Sequence, residues 1–377
     1  MKRVEIVFFD AGGGHRSAAN ALDYMIRQKG LGWEVHLMNL QELLDSMDIF
    51  RKITGIRLQD LYNLMLKKGW TLGSAELLFA IHGVLRVLHG QAVRMLRDYW
   101  SGSRPDMVVS VIPNFNRALF QSLKLTNAAV PMVTILTDMA DYPPHFWIER
   151  QDQYFICGTQ KAVEQALAIG NPEQRVLRAS GMILNPRFYE LPAIDRAAER
   201  HTLGLDPELP TGLLLFGGQG SMVMETIVRK LDASPLRLQM IAVCGHNQRL
   251  YERLEALRTR FPLHTVGFTK EVPRLMQLSD FFIGKPGPGS ISEAVFMKLP
   301  VIVTRNLFTL PQERYNTDWV REQGVGIVAG KFERDITGAV EKMLEPGNFA
   351  AMRARLDAID NRAVYEIPDM LRGILES

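Results

Sequence analysis

Little in this chain invites metal or thiol chemistry. Only two cysteines occur in 377 residues, Cys157 and Cys244. Each lies in its own apolar run, far from the other, which reads as two buried thiols in a reducing compartment rather than a disulfide framework. No Asp-x-Asp pair closes an apolar run and no His/Cys group has ligand spacing, so no metal is expected. No G-x-x-x-x-G-K-[ST] occurs, and no glycine run fits G-x-G-x-x-G in context, which disfavours phosphoryl transfer from ATP and hydride transfer. No apolar stretch approaches the roughly 18 residues of a membrane span. Glu5 and the glycines after Phe9 cut the basic N-terminal run short of a signal peptide, so a cytoplasmic chain is expected. An excess of one charge is missing too: 44 basic residues stand against 41 acidic ones. A net charge of +3 argues for no nucleic-acid partner.

What is present is a repeating alternation. Short apolar runs rich in β-branched and aromatic residues (4–9, 33–40, 107–112, 133–138, 154–158, then 212–218, 238–245, 263–268, 280–284, 300–304 and 324–330) alternate with longer helical patterns. Near-continuous apolarity is what strands of a parallel sheet covered on both faces require. The alternation predicts βαβ units, hence an α/β class with doubly wound sheets. The stretch 185–212 holds four prolines and no long apolar run, and reads as a linker with a short helix. We therefore expect an N-terminal domain over 1–184, a C-terminal domain over 185–355, and a last helix over 356–377 returning to the first. Two Rossmann-like domains so joined leave a cleft between the carboxyl ends of their sheets, where ligands belong.

Residues 51–100 break the rhythm. They show helical periodicity and no strand, with eight basic residues (Arg51, Lys52, Arg57, Lys67, Lys68, Arg86, Arg94, Arg97) against three acids (Asp60, Glu76, Asp98). Basic residues interleaved with Leu, Phe, Trp and Tyr suit an anionic lipid surface. The plainer reading is a helical insertion packed on the first domain.

Four glycine-bearing turns follow apolar runs: AGGGH (11–15), FGGQGS (216–221), VCGHN (243–247) and GKPGPGS (284–290). Glycine there lets backbone N–H groups approach a ligand, and the following helix adds its positive end. Such turns suit a diphosphate.

GKPGPGSISEAVFMKLPVIV (284–303) with LPQERYN (310–316) resembles the nucleotide-sugar signature of MurG-like glycosyltransferases. FFDAGGGHRSAANAL (8–22) resembles the N-terminal signature of their monogalactosyldiacylglycerol synthase branch. TDMADYPPHFW (137–147) and 266–284 fall in the order that branch expects. The resemblance covers most of the chain and is weakest over 50–100. It implies a GT-B fold of two facing Rossmann domains and inverting transfer of a hexose from a UDP-sugar to a lipid acceptor. The implied partners are UDP-galactose or UDP-glucose, diacylglycerol, and an anionic membrane surface met through 51–100. No cofactor or metal is implied, and the place of work is the inner face of the cell membrane, held peripherally.

Residue by residue, the resemblance puts Gly287, Gly289 and Ser290 on the diphosphate, joined by Gly13, Gly14 and Gly218, and Glu293 on the ribose hydroxyls. Ser290 and Glu293 also have the spacing of a capping box at a helix starting near Ser290. Gln312 and Glu313 fall on the pair that reads donor-sugar hydroxyls, with Asn316 nearby; a solvated loop after Pro311 is the alternative. Phe268 falls beside the base, or ends its strand in the core. Inverting transfer needs a base for the acceptor hydroxyl and positive potential for the departing diphosphate. His15, on a turn stripped of bulk by Gly12, Gly13 and Gly14, suits the base, since imidazole titrates near neutrality; a helix cap is its alternative. Asp138 is a competing base or orients one, or is an N-cap. His145 and Trp147, among Pro143, Pro144 and Phe146, are candidates for the acceptor mouth. His246 touches the diphosphate or starts a helix. A GT-B epimerase or hydrolase without lipid, and a non-catalytic nucleotide-sugar sensor, are the competing functions.

Overall fold

The computed structural model describes residues 1–10, 13–45, 74–307 and 309–377. These fall into two compact units, Met1–Pro186 with Leu310–Gln312 and Asn361–Ser377, and Arg187–Thr309 with Glu313–Asp360.

The first unit holds β1 (Arg3–Phe8), β2 (Glu34–Asn39), β3 (Met107–Ser110), β4 (Met132–Ile135), β5 (Tyr154–Cys157) and β6 (Val176–Arg178). They pair in the order β2-β1-β3-β4-β5-β6, all parallel. Strand order reverses at β1, which has β2 on one side and β3 on the other; such a reversal opens a crevice at the carboxyl ends. The sheet is covered on both faces by α1 (Gly14–Gln28), α2 (Leu40–Asp45), α3 (Ser74–Ser103) and α4 (Asn116–Thr126), while α5 (Gln160–Ala168) packs beside β5. Alternation in β1 sorts the layers: Val4, Ile6 and Phe8 join one core, and Val7 joins the core of the opposite face with Leu96 and Trp100 of α3. Helix α1 buries Ala18, Leu22, Met25 and Ile26 at helical spacing.

The second unit repeats the plan with β7 (Thr211–Leu215), β8 (Gln239–Val243), β9 (Leu263–Val266), β10 (Phe281–Gly284), β11 (Val301–Thr304) and β12 (Gly326–Ala329). Their order is β12-β11-β10-β7-β8-β9, again all parallel, and it reverses between β7 and β10. The helices are α6 (Arg196–Thr202), α7 (Val223–Asp232), α8 (Gln248–Glu255), α9 (Val272–Gln277), α10 (Pro288–Phe296), α11 (Arg314–Gln323), α12 (Phe332–Leu344) and α13 (Pro346–Asp357). One core joins Met224, Ile227 and Leu231 of α7 to Ile336, Val340 and Met343 of α12 across β7, β8 and β10.

All eleven apolar runs are strands, and a twelfth, β6, was not foreseen. It has three residues and only Val176 and Leu177 to mark it, fewer than a periodic signal needs. The C-terminal helical stretch is two helices. The second, α14 (Ala363–Glu376), groups with the first unit and buries Ile367, Leu371 and Ile374 in the core that also holds Ala19, Leu22 and Ile26 of α1. Each such side chain contributes about 1.5–3 kcal/mol. Asn361 fixes the entry to α14: its Nδ2 donates to the Met182 carbonyl at 2.9 Å and its Oδ1 accepts from the Ala363 N–H at 3.1 Å.

Candidate functional site

In the first unit, candidate residues gather where strand order reverses. Gly13 is left-handed (φ 82°) and sets the start of α1, so His15 lies inside the first turn and is no cap. Its Nδ1 lies 3.1 Å from Oγ1 of Thr137, just beyond β4. Burial pushes the imidazole down to about 4, although part of the residue reaches solvent, against a backbone hydrogen bond with Val111, just beyond β3, that raises it. His15 is therefore a neutral imidazole at neutral pH, and a weaker base than the near-neutral titration expected of its residue type. Its ring lies 6.0 Å from that of Trp147.

Asp138 begins no helix, so it is no N-cap. Its Oδ2 accepts the indole N–H of Trp147 at 2.8 Å. Trp147, an acceptor-mouth candidate, is fully buried, and its place is between Asp138 and His15 rather than on a surface. Its backbone N–H donates to Asp141 Oδ1 at 2.6 Å, and Asp141 Oδ2 accepts from the N–H of His145 at 3.0 Å. Burial, outweighing these bonds, raises the Asp141 carboxyl above its usual range. His145 takes a left-handed conformation (φ 65°) with an exposed side chain, its Nδ1 3.6 Å from Glu149. Ala11 and Gly12 of the glycine–histidine turn lie outside the described residues.

The second unit brings its three glycine turns together. The turn after β7 carries Gly217 (φ 74°) and Gly220 (φ 59°), and that after β8 carries Gly245 (φ 60°). A Cβ on Gly220 would fall 2.3 Å from the Cys244 carbonyl oxygen, and one on Gly245 would fall 2.2 Å from that of Gly218. The His246 N–H donates to the Gly218 carbonyl at 2.8 Å, locking turn on turn. Cβ positions on Gly218 and Gly289 meet nothing within 4 Å, leaving open space beside their backbones.

The third turn leads into α10, which starts at Pro288 with Gly287 as N-cap and no side-chain cap. The capping-box reading of Ser290 and Glu293 therefore fails: the helix starts before Ser290, and Glu293 lies beyond the first turn. Proline at the first position supplies no N–H, so Gly289 and Ser290 hold the first-turn donors that lack intrahelical partners. Further along α10, burial pushes the Glu293 carboxyl up to about 7, although part of its surface reaches solvent.

Asn316 is wholly buried on α11, and its Nδ2 donates to the Pro286 carbonyl at 2.8 Å, tying the helix to the turn before Gly287. Its Oδ1 has no hydrogen-bond partner among the described residues, nor has the buried Oε1 of Gln312. Asn316 thus shapes the turn. Gln312 groups with the first unit and Glu313 with the second. Glu313 is nearly buried, its Oε1 3.6 Å from Nζ of Lys285. Phe268 is 56% exposed rather than core, and its ring stacks on His246 at 4.0 Å and 16°. Asn247, not His246, caps α8.

Sequence reasoning passed over Thr137 and Lys285. A lysine directly after a strand that ends in glycine was the available signal for Lys285; Thr137 carried none beyond its place at a strand end.

No protein-family model matches the chain. Over 398 residues it is 30% identical to the probable monogalactosyldiacylglycerol synthase 2, chloroplastic, of Oryza sativa subsp. indica, covering 99% of this chain and 80% of the rice protein. The chain belongs to the monogalactosyldiacylglycerol synthase family. A second member, monogalactosyldiacylglycerol synthase 1 of Arabidopsis thaliana, is 25% identical over 401 residues, 98% of this chain and 71% of that one. Among solved structures, the S. aureus MnaA–UDP complex matches with a TM-score of 0.64 at 15% identity, covering 100% of this chain and 97% of that one. MurG of Acinetobacter baumannii matches with a TM-score of 0.61 at 13% identity over 99% and 100%. UDP-GlcNAc 2-epimerase from Neisseria meningitidis, bound to UDP-GlcNAc, gives 0.61 at 13% over 100% of both. The fold of this family member is GT-B, with two parallel six-stranded sheets flanked by helices. Among its described residues no helix is long and apolar enough to cross a membrane.

Proposed function

We propose that this chain transfers a hexose from UDP-galactose or UDP-glucose, with inversion, to the free hydroxyl of diacylglycerol. The observation that carries the reading is the match, over nearly the whole of this chain, to synthases named for a galactosylated diacylglycerol. The glycine turns of the second unit supply what the donor half of such a reaction needs.

In this reading the diphosphate lies against the backbone of Gly218, Gly287, Gly289 and Ser290, where free N–H groups and the helix end hold negative charge without a metal. Gly13 and Gly14 keep side-chain bulk away from the reacting atoms. Glu293 takes the ribose hydroxyls, Phe268 with His246 flanks the base, and Gln312 and Glu313 read the sugar. Asn316 acts through the turn it holds. The acceptor oxygen attacks the anomeric carbon as the bond to the β-phosphate breaks. The electron pair leaves with UDP, and the acceptor proton passes to His15. Asp138, through Trp147, holds the surroundings of that imidazole. His145, exposed beside this cluster, meets the acceptor.

Residues 51–100 meet an anionic membrane surface on the strength of their charge; residues 46–73 lie outside the described ones. The enzyme then works peripherally, and we assign it to the inner face of the cell membrane.

The test is sugar incorporation into diacylglycerol in vesicles, read by thin-layer chromatography over a panel of nucleotide sugars. We expect one UDP-hexose to label the lipid, faster on anionic than on neutral vesicles. No labelling with any donor overturns the reading. Appearance of an epimer without lipid would favour the second reading, to which the likeness to UDP-GlcNAc 2-epimerases lends support.

A further inference from the structure

Lys285 stands at the reversal of strand order in the second unit, directly after Gly284 closes β10. Its Cε lies 3.4 Å from the point a Cβ would occupy on Gly217, and 3.4 Å from the same point on Gly287. The stem thus runs between the turn after β7 and the start of α10, and absence of side chains on both flanks makes its room. Two positive features therefore meet here: an ammonium, and a helix N-terminus whose first-turn donors are unfilled. Among the described residues the carboxylate paired with Lys285 is Glu313, at 3.6 Å, longer than a hydrogen bond. The side chain of Lys285 is 44% exposed and that of Glu313 only 12%. An ammonium with this access, held by a loose pair beside open backbone donors, is poised to exchange its partner for a phosphate oxygen.

We propose that Lys285 is a ligand of the donor's β-phosphate, and that Glu313 holds its place while the donor is absent. This rests on the reading above, in which the second unit takes a UDP-sugar. When the diphosphate arrives, one ion pair is exchanged for two contacts: Lys285 turns to the phosphate, and Glu313 is released to accept hydrogen bonds from the sugar hydroxyls. When the bond to the anomeric carbon breaks, the added negative charge on the β-phosphate develops beside a full positive charge rather than beside backbone dipoles alone. Diphosphate binding and sugar reading are thereby coupled, because neither residue completes its contact while the pair stays closed.

The experiment is calorimetric titration of the full chain with UDP and with UMP, at one ionic strength, for wild type, K285M, K285R and E313Q. A charge-assisted contact to the second phosphate predicts that K285M weakens UDP about tenfold or more and leaves UMP within about twofold. K285R, which keeps the charge, retains most of the UDP affinity. E313Q frees the ammonium and tightens UDP severalfold, while turnover with the UDP-sugar falls. UDP affinity unchanged in K285M overturns the proposal, and so does equal loss of UDP and UMP, which marks a general effect on the turn. UDP binding unchanged or weaker in E313Q overturns the place-holding role. Failure of the wild type to bind either nucleotide removes the UDP-sugar reading itself, and the proposal with it.

Discussion

The indole of Trp147 donates to a carboxylate oxygen of Asp138 at 2.8 Å, and the same ring lies 6.0 Å from the imidazole of His15. A fully buried side chain is thus bonded to one titratable candidate of the first unit and neighbours another. Trp147→Phe keeps the ring and removes the N–H, so Asp138 loses a partner at a cost of about 1–3 kcal/mol. If the pair positions His15, kcat falls roughly 10- to 100-fold with the KM for the UDP-sugar unchanged. Urea denaturation and steady-state kinetics measure the two effects. A rise in KM with kcat intact would show that Trp147 serves binding instead.

His15→Ala removes the proposed base. Turnover should fall roughly 10²- to 10⁴-fold, while UDP affinity, which the proposed function assigns to the second unit, stays near that of the wild type. Activity surviving the change would transfer the role to Asp138, and Asp138→Asn would then carry the larger loss.

Burial of His15 fixes a pH window. An unfolded histidine takes up its proton near pH 6.5, whereas this one resists until about 4. Stability therefore falls as pH drops from about 6.5 towards 4, because the unfolded chain binds the proton first. Replacing His15 with Gln should flatten that part of the stability curve. In catalysis, the acid limb of kcat/KM should lie near 4; a limb at 6.5 would mean that the imidazole is open to water.

Glu293 shifts the other way, up to about 7. A carboxylate only accepts hydrogen bonds, and ribose hydroxyls can donate them. Affinity for uridine, which carries no phosphate to titrate, should rise as pH passes through 7. Glu293→Gln should bind uridine with no such slope, as titration at several pH values will show.

Much of this was legible in the residues. β-branched runs and glycine-ended strands announced both sheets, because a strand covered on two faces has no polar side to hide it. The glycine turns announced where backbone is left bare of side chains, as at Gly218 and Gly289. Burial of individual polar residues was not legible. Asn316 was expected beside the donor sugar, and nothing in the sequence marked its burial on α11 or the bond from its Nδ2 to Pro286. Trp147 looked like a rim aromatic, yet Asp141 draws its backbone inward. The start of α10 was misread because Pro288 resembles a loop residue until the chain is seen to make it the first of a helix.

Asn316→Ala tests whether that bond is what the residue contributes. The Pro286 carbonyl loses its donor at a cost of about 1–3 kcal/mol, and UDP affinity should fall with the loosened turn. Unaltered UDP affinity, together with a changed preference between galactose and glucose, would restore the sugar-reading role.

The interlock of Gly218 with Gly245 has an evolutionary reading. A single methyl on Gly245 would collide with a neighbouring backbone oxygen, so the turns proposed to face the diphosphate tolerate almost no drift. On the proposed reading, divergence in which hexose a relative uses would accumulate instead at side chains such as Gln312 and Glu313.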